Sequence, residues 1–286
     1  MDSPNMFDYE TFIKSSNKTT IKIDKYTIDM YDTGPREISC PIVCLPPTTC
    51  DASIFYKVQT FLSNEKFRII SMNYPETYTT NAFCEVFLKL LDELHLVAVH
   101  IVGASLGGFL AQKFCEFCAA SSGRVKSLIL CNTYTDTYCF ETRYSAKMFW
   151  LLPLPMLRMT FEYPCVSDNA DNEIKEASKS ARDQCNKMSQ GELASRLTMA
   201  CRTNIVATEE LQKADITIIE VGDIETSYKN QYSSVHRAYP EAKVASLDTG
   251  GHFPFLSRYD EFATYMKMHY DAYVGTPFSP SISDDS

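Results

Sequence analysis

The ten residues Ile101 to Leu110, "IVGASLGGFL", decide the fold. They frame a serine with glycines, Gly103-Ala104-Ser105-Leu106-Gly107, directly after the β-branched run "AVHIV" and before "GFLAQKF", whose apolar spacing is helical. A serine hydroxyl is a poor nucleophile until a base takes its proton, and the attacked carbonyl needs donors for the oxyanion that develops. The G-x-S-x-G elbow meets both needs by geometry: its glycines relieve crowding at a sharp strand-to-helix turn that lifts the serine above the carboxyl end of a central strand. The bare pattern arises often by chance. One that ends a strand, opens a helix and falls at the fifth strand-like segment is far more specific.

Outward from the elbow, β-branched and apolar runs recur at 19–32, 41–45, 67–74, 97–103, 125–131, 216–222 and 243–248. Helical patterns lie between them. "NAFCEVFLKLLDELHL" (81–96) spaces Phe83, Val86, Phe87, Leu90, Leu91 and Leu94 by three and four residues, one apolar face for covering a sheet. Alternating strands and helices predict a mostly parallel sheet with helices on both faces, the α/β-hydrolase fold, with the first run as an antiparallel edge hairpin. The alternation breaks from Thr133 to Ala214, too long and too helical for a loop. The expected organisation is therefore a hydrolase core over 1–132 and 215–274, a helical cap inserted at 133–214, and a disordered acidic tail at 275–286. Within the cap, "MFWLLPLPMLRM" (148–159) is too short and too Pro-broken to span a membrane. It is expected to pack the cap onto the sheet.

In this fold the triad runs in the order serine, acid, histidine, the acid after a later strand and the histidine after the last. After "ITIIEVG" come Asp223 and Glu225, and after "KVASLD" comes "TGGHFPFL" with His252. Of five histidines, His252 alone fits; His95 and His100 flank the entry side of the elbow strand, and His236 and His269 fall in helical patterns. Both carboxylates stay open: a Gly-x-x-acid spacing favours Glu225, while Asp223 is nearer the strand and shorter. For the oxyanion, one donor is the backbone N–H of Leu106. The second should come from the loop after "PIVCL", which reads Pro46-Pro47-Thr48-Thr49. Prolines have no N–H, so Thr48 is the first donor available there.

The formal net charge of -9 offers no basic patch for a nucleic-acid backbone, and a nucleic-acid partner is not expected. Acidic residues at the N-terminus and the lack of a long apolar run predict a soluble, intracellular chain. Eleven cysteines, an odd count lying mostly in apolar contexts, read as reduced core thiols. Cys115 and Cys118 form a C-x-x-C inside a helical pattern with no second ligand pair, so they read as core packing, with no metal and no cofactor expected.

The segments "CPIVCLPP", "GASLGGFLAQKF", "VKSLILCN", "FWLLP", "GELASRLT" and "LDTGGHFPFLSR" together resemble the maspardin (acidic cluster protein) family of the α/β-hydrolase superfamily. The resemblance implies a cytoplasmic protein peripherally associated with endosomal and trans-Golgi membranes. It also implies a non-catalytic adaptor whose protein partners are the cytoplasmic tail of a membrane receptor or an aldehyde dehydrogenase-type protein. It implies one departure: asparagine stands at the position of His252 in the vertebrate members, where this chain has histidine. The adaptor is the first expectation for function. The alternative is a serine hydrolase for a small acyl substrate, an ester or thioester, using Ser105, His252 and Glu225 or Asp223.

Overall fold

The computed structural model describes residues 7–16, 18–119, 123–140, 146–160, 166, 167 and 169–282. Eight strands form one sheet: β1 (Lys18–Ile23), β2 (Tyr26–Thr33), β3 (Ile42–Leu45), β4 (Ile69–Met72), β5 (Val99–Ala104), β6 (Val125–Cys131), β7 (Asp215–Val221) and β8 (Lys243–Leu247). Their order is β1-β2-β4-β3-β5-β6-β7-β8. Only β2 runs against its neighbours, pairing antiparallel with β1 and β4, so the first apolar run is the expected hairpin. Every residue of β3, β4 and β5 is buried, because parallel strands covered on both faces read as continuous apolar runs rather than alternations.

Among the described residues ten α-helices accompany the sheet: α1 (Tyr9–Ser15), α2 (Tyr56–Asn64), α3 (Thr80–Glu93), α4 (Leu106–Ala119), α5 (Leu154–Met159), α6 (Asn172–Lys187), α7 (Gln190–Cys201), α8 (Thr226–Ala238), α9 (Pro254–Ser257) and α10 (Tyr259–Tyr270). One face of the sheet packs Phe83 and Phe87 of α3 against Phe109 and Phe114 of α4. The other packs Val58 of α2 with Phe255 and Phe262 of α9 and α10. Helix α3 starts where Thr79 accepts the N–H of Ala82, and α7 starts in a capping box between Ser189 and Glu192.

Between β6 and β7 the described chain is helical, with α5, α6 and α7 as its longest elements. The apolar run 148–159 does not pack onto the sheet as expected. Phe149 and Leu157 join Cys185, Leu193 and Leu197 in a separate small core among the cap helices, and Trp150 Nε1 donates to Thr198 Oγ1 at 3.0 Å. A short turn and a six-residue helix can bury only one side, so Leu151, Met156 and Met159 are left 83%, 52% and 84% exposed.

The tail also departs from expectation over its described part. Residues 275–282 are held: Arg68 N–H donates to Pro280 O at 3.0 Å, Ser281 pairs with Phe67, and the ammonium of Lys126 sits 4.0 Å over the Phe278 ring. Polar composition argues for disorder only when the backbone finds no partner, and here the edge before β4 supplies one. Residues 283–286 lie outside the described residues.

Candidate active site

The elbow is built from backbone crowding. Ser105 takes φ +51°, a left-handed conformation that costs a non-glycine residue about 1–2 kcal/mol and persists only where its surroundings enforce it. They do so by hydrogen bonds: Ser105 N–H donates to Cys131 O at 3.1 Å, and its carbonyl accepts from Gly108 N, Phe109 N and Thr133 Oγ1. They also do so by contact. A Cβ on Gly103 would stand 2.5 Å from Gly107 O, and one on Gly107 only 2.0 Å from Leu45 O. Each glycine of the motif is thus required by a backbone close to it.

His252 lies on the loop between β8 and α9, half-buried, with its ring edge-on to Tyr228 at 4.6 Å. Gly251, just before it, has φ +62°. Four bonds fix this loop. Asp223 Oδ1 accepts the N–H groups of Gly250 (3.1 Å) and Gly251 (2.9 Å), Asn132 Nδ2 donates to Gly251 O (3.3 Å), and Ser257 Oγ donates to Gly250 O (2.6 Å). Burial lowers the His252 pKa to about 4, opposed by the negative charge of Asp223. The imidazole is therefore neutral at ordinary pH, the form a general base requires.

Of the two candidate acids, the structure brings Asp223 to the histidine loop and leaves Glu225 outside it. Glu225 is exposed at the N-cap of α8, makes no side-chain capping bond, and is not among the charges felt by His252. Ser105 and His252 are not joined: among the described residues no hydrogen bond links the hydroxyl to the imidazole. Catalytic hydrogen bonds often tighten only when substrate is bound.

Leu106, the first residue of α4, is buried, and Thr48 is half-buried; neither backbone N–H has an acceptor among the described residues. The Pro-Pro loop is pinned from several directions. Tyr74 OH donates to Pro46 O, Cys50 N–H donates to Pro47 O at 3.1 Å, and Asp51 N–H donates to Gln184 Oε1 at 3.1 Å. Arg196 of α7 reaches the carbonyls of Pro47 (3.1 Å), Thr48 (3.2 Å) and Cys50. Sequence reasoning missed Gln184 and Arg196, because a polar residue inside an amphipathic helix carries no sign that its side chain is turned inward, and Asn132 and Thr133, whose partners come from other loops. A cavity of about 500 Å³ lies between α8 and the sheet, lined by Leu130, Asn132, Asp223, Tyr232, Val235 and His236 among others. It is lined by Asp223 but by neither Ser105 nor His252.

Among the described residues nine cysteines are free thiols, seven of them buried. Burial pushes Cys115 up to about 12, and with Cys118 it packs α4. Among the described residues there is no cluster that would hold a metal ion, and no helix long and apolar enough to cross a membrane.

Residues 42–166 match the model of the α/β hydrolase fold family. Maspardin of Danio rerio is 36% identical over 280 residues, spanning 95% of this chain and 88% of its own; human maspardin is 36% identical over 95% and 89%. The chain belongs to the maspardin family. Its fold is also that of an enol-lactonase from Burkholderia xenovorans (TM-score 0.70, 17% identity, 88% of this chain and 99% of that one). An esterase from Thermogutta terrifontis is as similar in fold (TM-score 0.70, 17% identity, 88% and 97%). In this maspardin-family chain the elbow, the histidine loop and the pinned Pro-Pro loop come from β5, β8 and β3, all at the carboxyl edge of one sheet.

Proposed function

We propose that this maspardin-family chain is a serine hydrolase acting on an ester, thioester or similar acyl compound. The observation that carries the reading is the left-handed, enforced backbone of Ser105, since such strain is kept where it presents a reacting group. The Ser105 hydroxyl attacks the acyl carbon while neutral His252 takes its proton. The carbonyl electrons move to an oxyanion held by the N–H groups of Leu106 and Thr48. Collapse expels the alcohol or thiol, which receives the proton from His252. Water, deprotonated by the same imidazole, then releases the acid and restores Ser105. Asp223 holds the loop and favours the transient imidazolium. The test is labelling of purified protein by a fluorophosphonate probe: labelling lost in both Ser105→Ala and His252→Asn supports the reading, and absence of labelling in folded unmodified protein sinks it.

A second reading, a non-catalytic adaptor, is favoured by the missing Ser105–His252 hydrogen bond and by the exposed Leu151, Met156 and Met159 of the cap. On this reading the cap binds the cytoplasmic tail of a membrane receptor or an aldehyde dehydrogenase-type partner, and that contact brings a cytoplasmic protein to endosomal and trans-Golgi membranes. Ser105→Ala then leaves partner capture and localisation unchanged, whereas Leu151→Asp abolishes both; loss of capture in a folded Ser105→Ala protein excludes the relic site.

A further inference from the structure

We infer that Arg196 is a positioning residue that aims the second oxyanion donor from the cap side. The inference rests on the hydrolase reading above and deepens it. Arg196 stands in the middle of α7 and is 2% exposed. Its Nη1 donates to the carbonyl oxygens of Pro47, Thr48 and Cys50, and its guanidinium carbon lies 4.8 Å over the Tyr74 ring. None of these contacts is a carboxylate. A buried cation facing carbonyl dipoles and a ring, with no carboxylate partner among the described residues, is a costly way to fill space, and an apolar residue of similar volume would pack α7 at lower cost.

What the arginine does supply is direction. The described chain has no cis peptide bond, and in a trans peptide the N–H points opposite to the carbonyl of the same unit. Drawing Pro47 O and Thr48 O toward Arg196 therefore turns the N–H groups of Thr48 and Thr49 away from it. Pro46 and Pro47 have no N–H, so Thr48 is the first donor in the loop. The elbow is packed directly against the start of this loop: a Cβ on Gly107 would meet Leu45 O at 2.0 Å and Pro46 O at 2.8 Å. The far side of the loop is secured by a second cap residue, Gln184, which accepts from Asp51 N–H and donates to Ser53 Oγ at 3.0 Å. The cap is thus a clamp on the oxyanion loop, and Arg196 is the part of it that sets the peptide orientation.

The test uses the full chain with Arg196→Met and Arg196→Lys, hydrolysis of p-nitrophenyl acetate, and hydrogen exchange of the amides from Cys50 to Ile54. Loss of one oxyanion donor lowers turnover by about 100-fold or more. The expected result for Arg196→Met is a kcat reduced by about that factor with KM changed less than about threefold and the acidic limb of the pH profile in place. Arg196→Lys, which keeps the charge but not the fork, falls in between. Loop amides exchange at least about tenfold faster in Arg196→Met, while those of β5 and β6 do not change. A folded Arg196→Met protein with unaltered kcat overturns the inference, as does a rise in KM alone. If the unmodified chain shows no hydrolysis, the hydrolase reading fails by itself and the exchange data decide: unchanged exchange at the loop then overturns the role of Arg196. If Arg196→Met does not fold, Arg196→Lys carries both measurements, and wild-type kcat with wild-type exchange overturns it.

Discussion

The Thr133 hydroxyl donates to the carbonyl oxygen of Ser105 at 2.6 Å, and the same side chain fills the space that a Cβ on Gly108 would need, at 2.6 Å. One threonine after β6 thus holds the nucleophile's backbone and closes the helix against it. Because Ser105 bears its strain at φ +51°, replacing it by glycine relieves what alanine cannot. Ser105→Gly is expected to be more stable than Ser105→Ala by about 1 kcal/mol, measured by urea unfolding with equal m-values. Equal stability would mean that the turn is not strained.

Gly107 faces backbone rather than a movable side chain, with Leu45 O and Pro46 O both inside the volume of an added methyl. Gly107→Ala must therefore displace β3 from β5 or break the elbow, and a loss above about 3 kcal/mol is expected. Gly108→Ala meets first the Thr133 side chain, whose Cγ2 lies 2.7 Å from the added methyl, so combining Gly108→Ala with Thr133→Ser should recover part of the lost stability. Thermal unfolding of the three variants checks this order.

Asp223 and Glu225 differ in what they touch, and the hydrolase proposal separates them by variant. Asp223→Asn keeps an oxygen for the Gly250 and Gly251 amides but removes the charge that favours the imidazolium, so fluorophosphonate labelling should slow by roughly a thousandfold or more. Glu225→Gln, at an exposed N-cap with no side-chain bond, should label at the unmodified rate. The reverse pattern would move the acid to Glu225.

How much of this was legible depends on whether a feature is local. The strands could be read because burial on both faces makes continuous apolar runs such as "VHIVGA", and the elbow because its glycines answer clashes within a few residues and the neighbouring loop. The choice between Asp223 and Glu225 could not be read: they stand two residues apart in one loop, and what separates them is the placement of Gly250 and Gly251, which come from another strand. Arg196 in "GELASRLT" reads as a solvated helix cation, since nothing nearby in sequence records the carbonyls it meets about 150 residues earlier. Composition misled at the tail, where the bonds to Arg68 and His100 come from the protein body and not from the tail itself.

Two buried histidines at the amino-terminal end of the sheet add to the acid sensitivity that the lowered His252 also brings. His100 Nε2–H donates to Phe278 O at 2.8 Å, so its Nδ1 accepts from Ser127 Oγ at 2.7 Å, and the ring is neutral; His269 Nδ1 bonds Thr217 Oγ1 at 2.7 Å. Burial lowers both to about 4 from an ordinary 6.5. The unfolded chain therefore binds more protons than the fold between those values. The stability they contribute is fully present above about pH 6.5 and is lost as pH falls toward 4, on the order of a few kcal/mol in all. His100→Gln, tested by urea unfolding at pH 7 and pH 5, should show a smaller pH-dependent loss than the unmodified chain; an unchanged loss would place the sensitivity elsewhere.

The same sign governs the rate. On the hydrolase reading His252 acts as a base only when unprotonated, and its pKa, lowered to about 4 by burial against the pull of Asp223, keeps it unprotonated above about pH 5. The acidic limb of kcat/KM on p-nitrophenyl acetate should therefore lie near pH 4 to 5, well below the value near 6.5 of an exposed imidazole. Tyr228→Ala removes the α8 ring packed against the imidazole, the two centroids being 4.6 Å apart. Water then reaches the ring, desolvation weakens, and the limb should move up toward 6.5 with the plateau rate preserved. A limb that stays in place after Tyr228→Ala would show that burial by α8 does not set the basicity of His252.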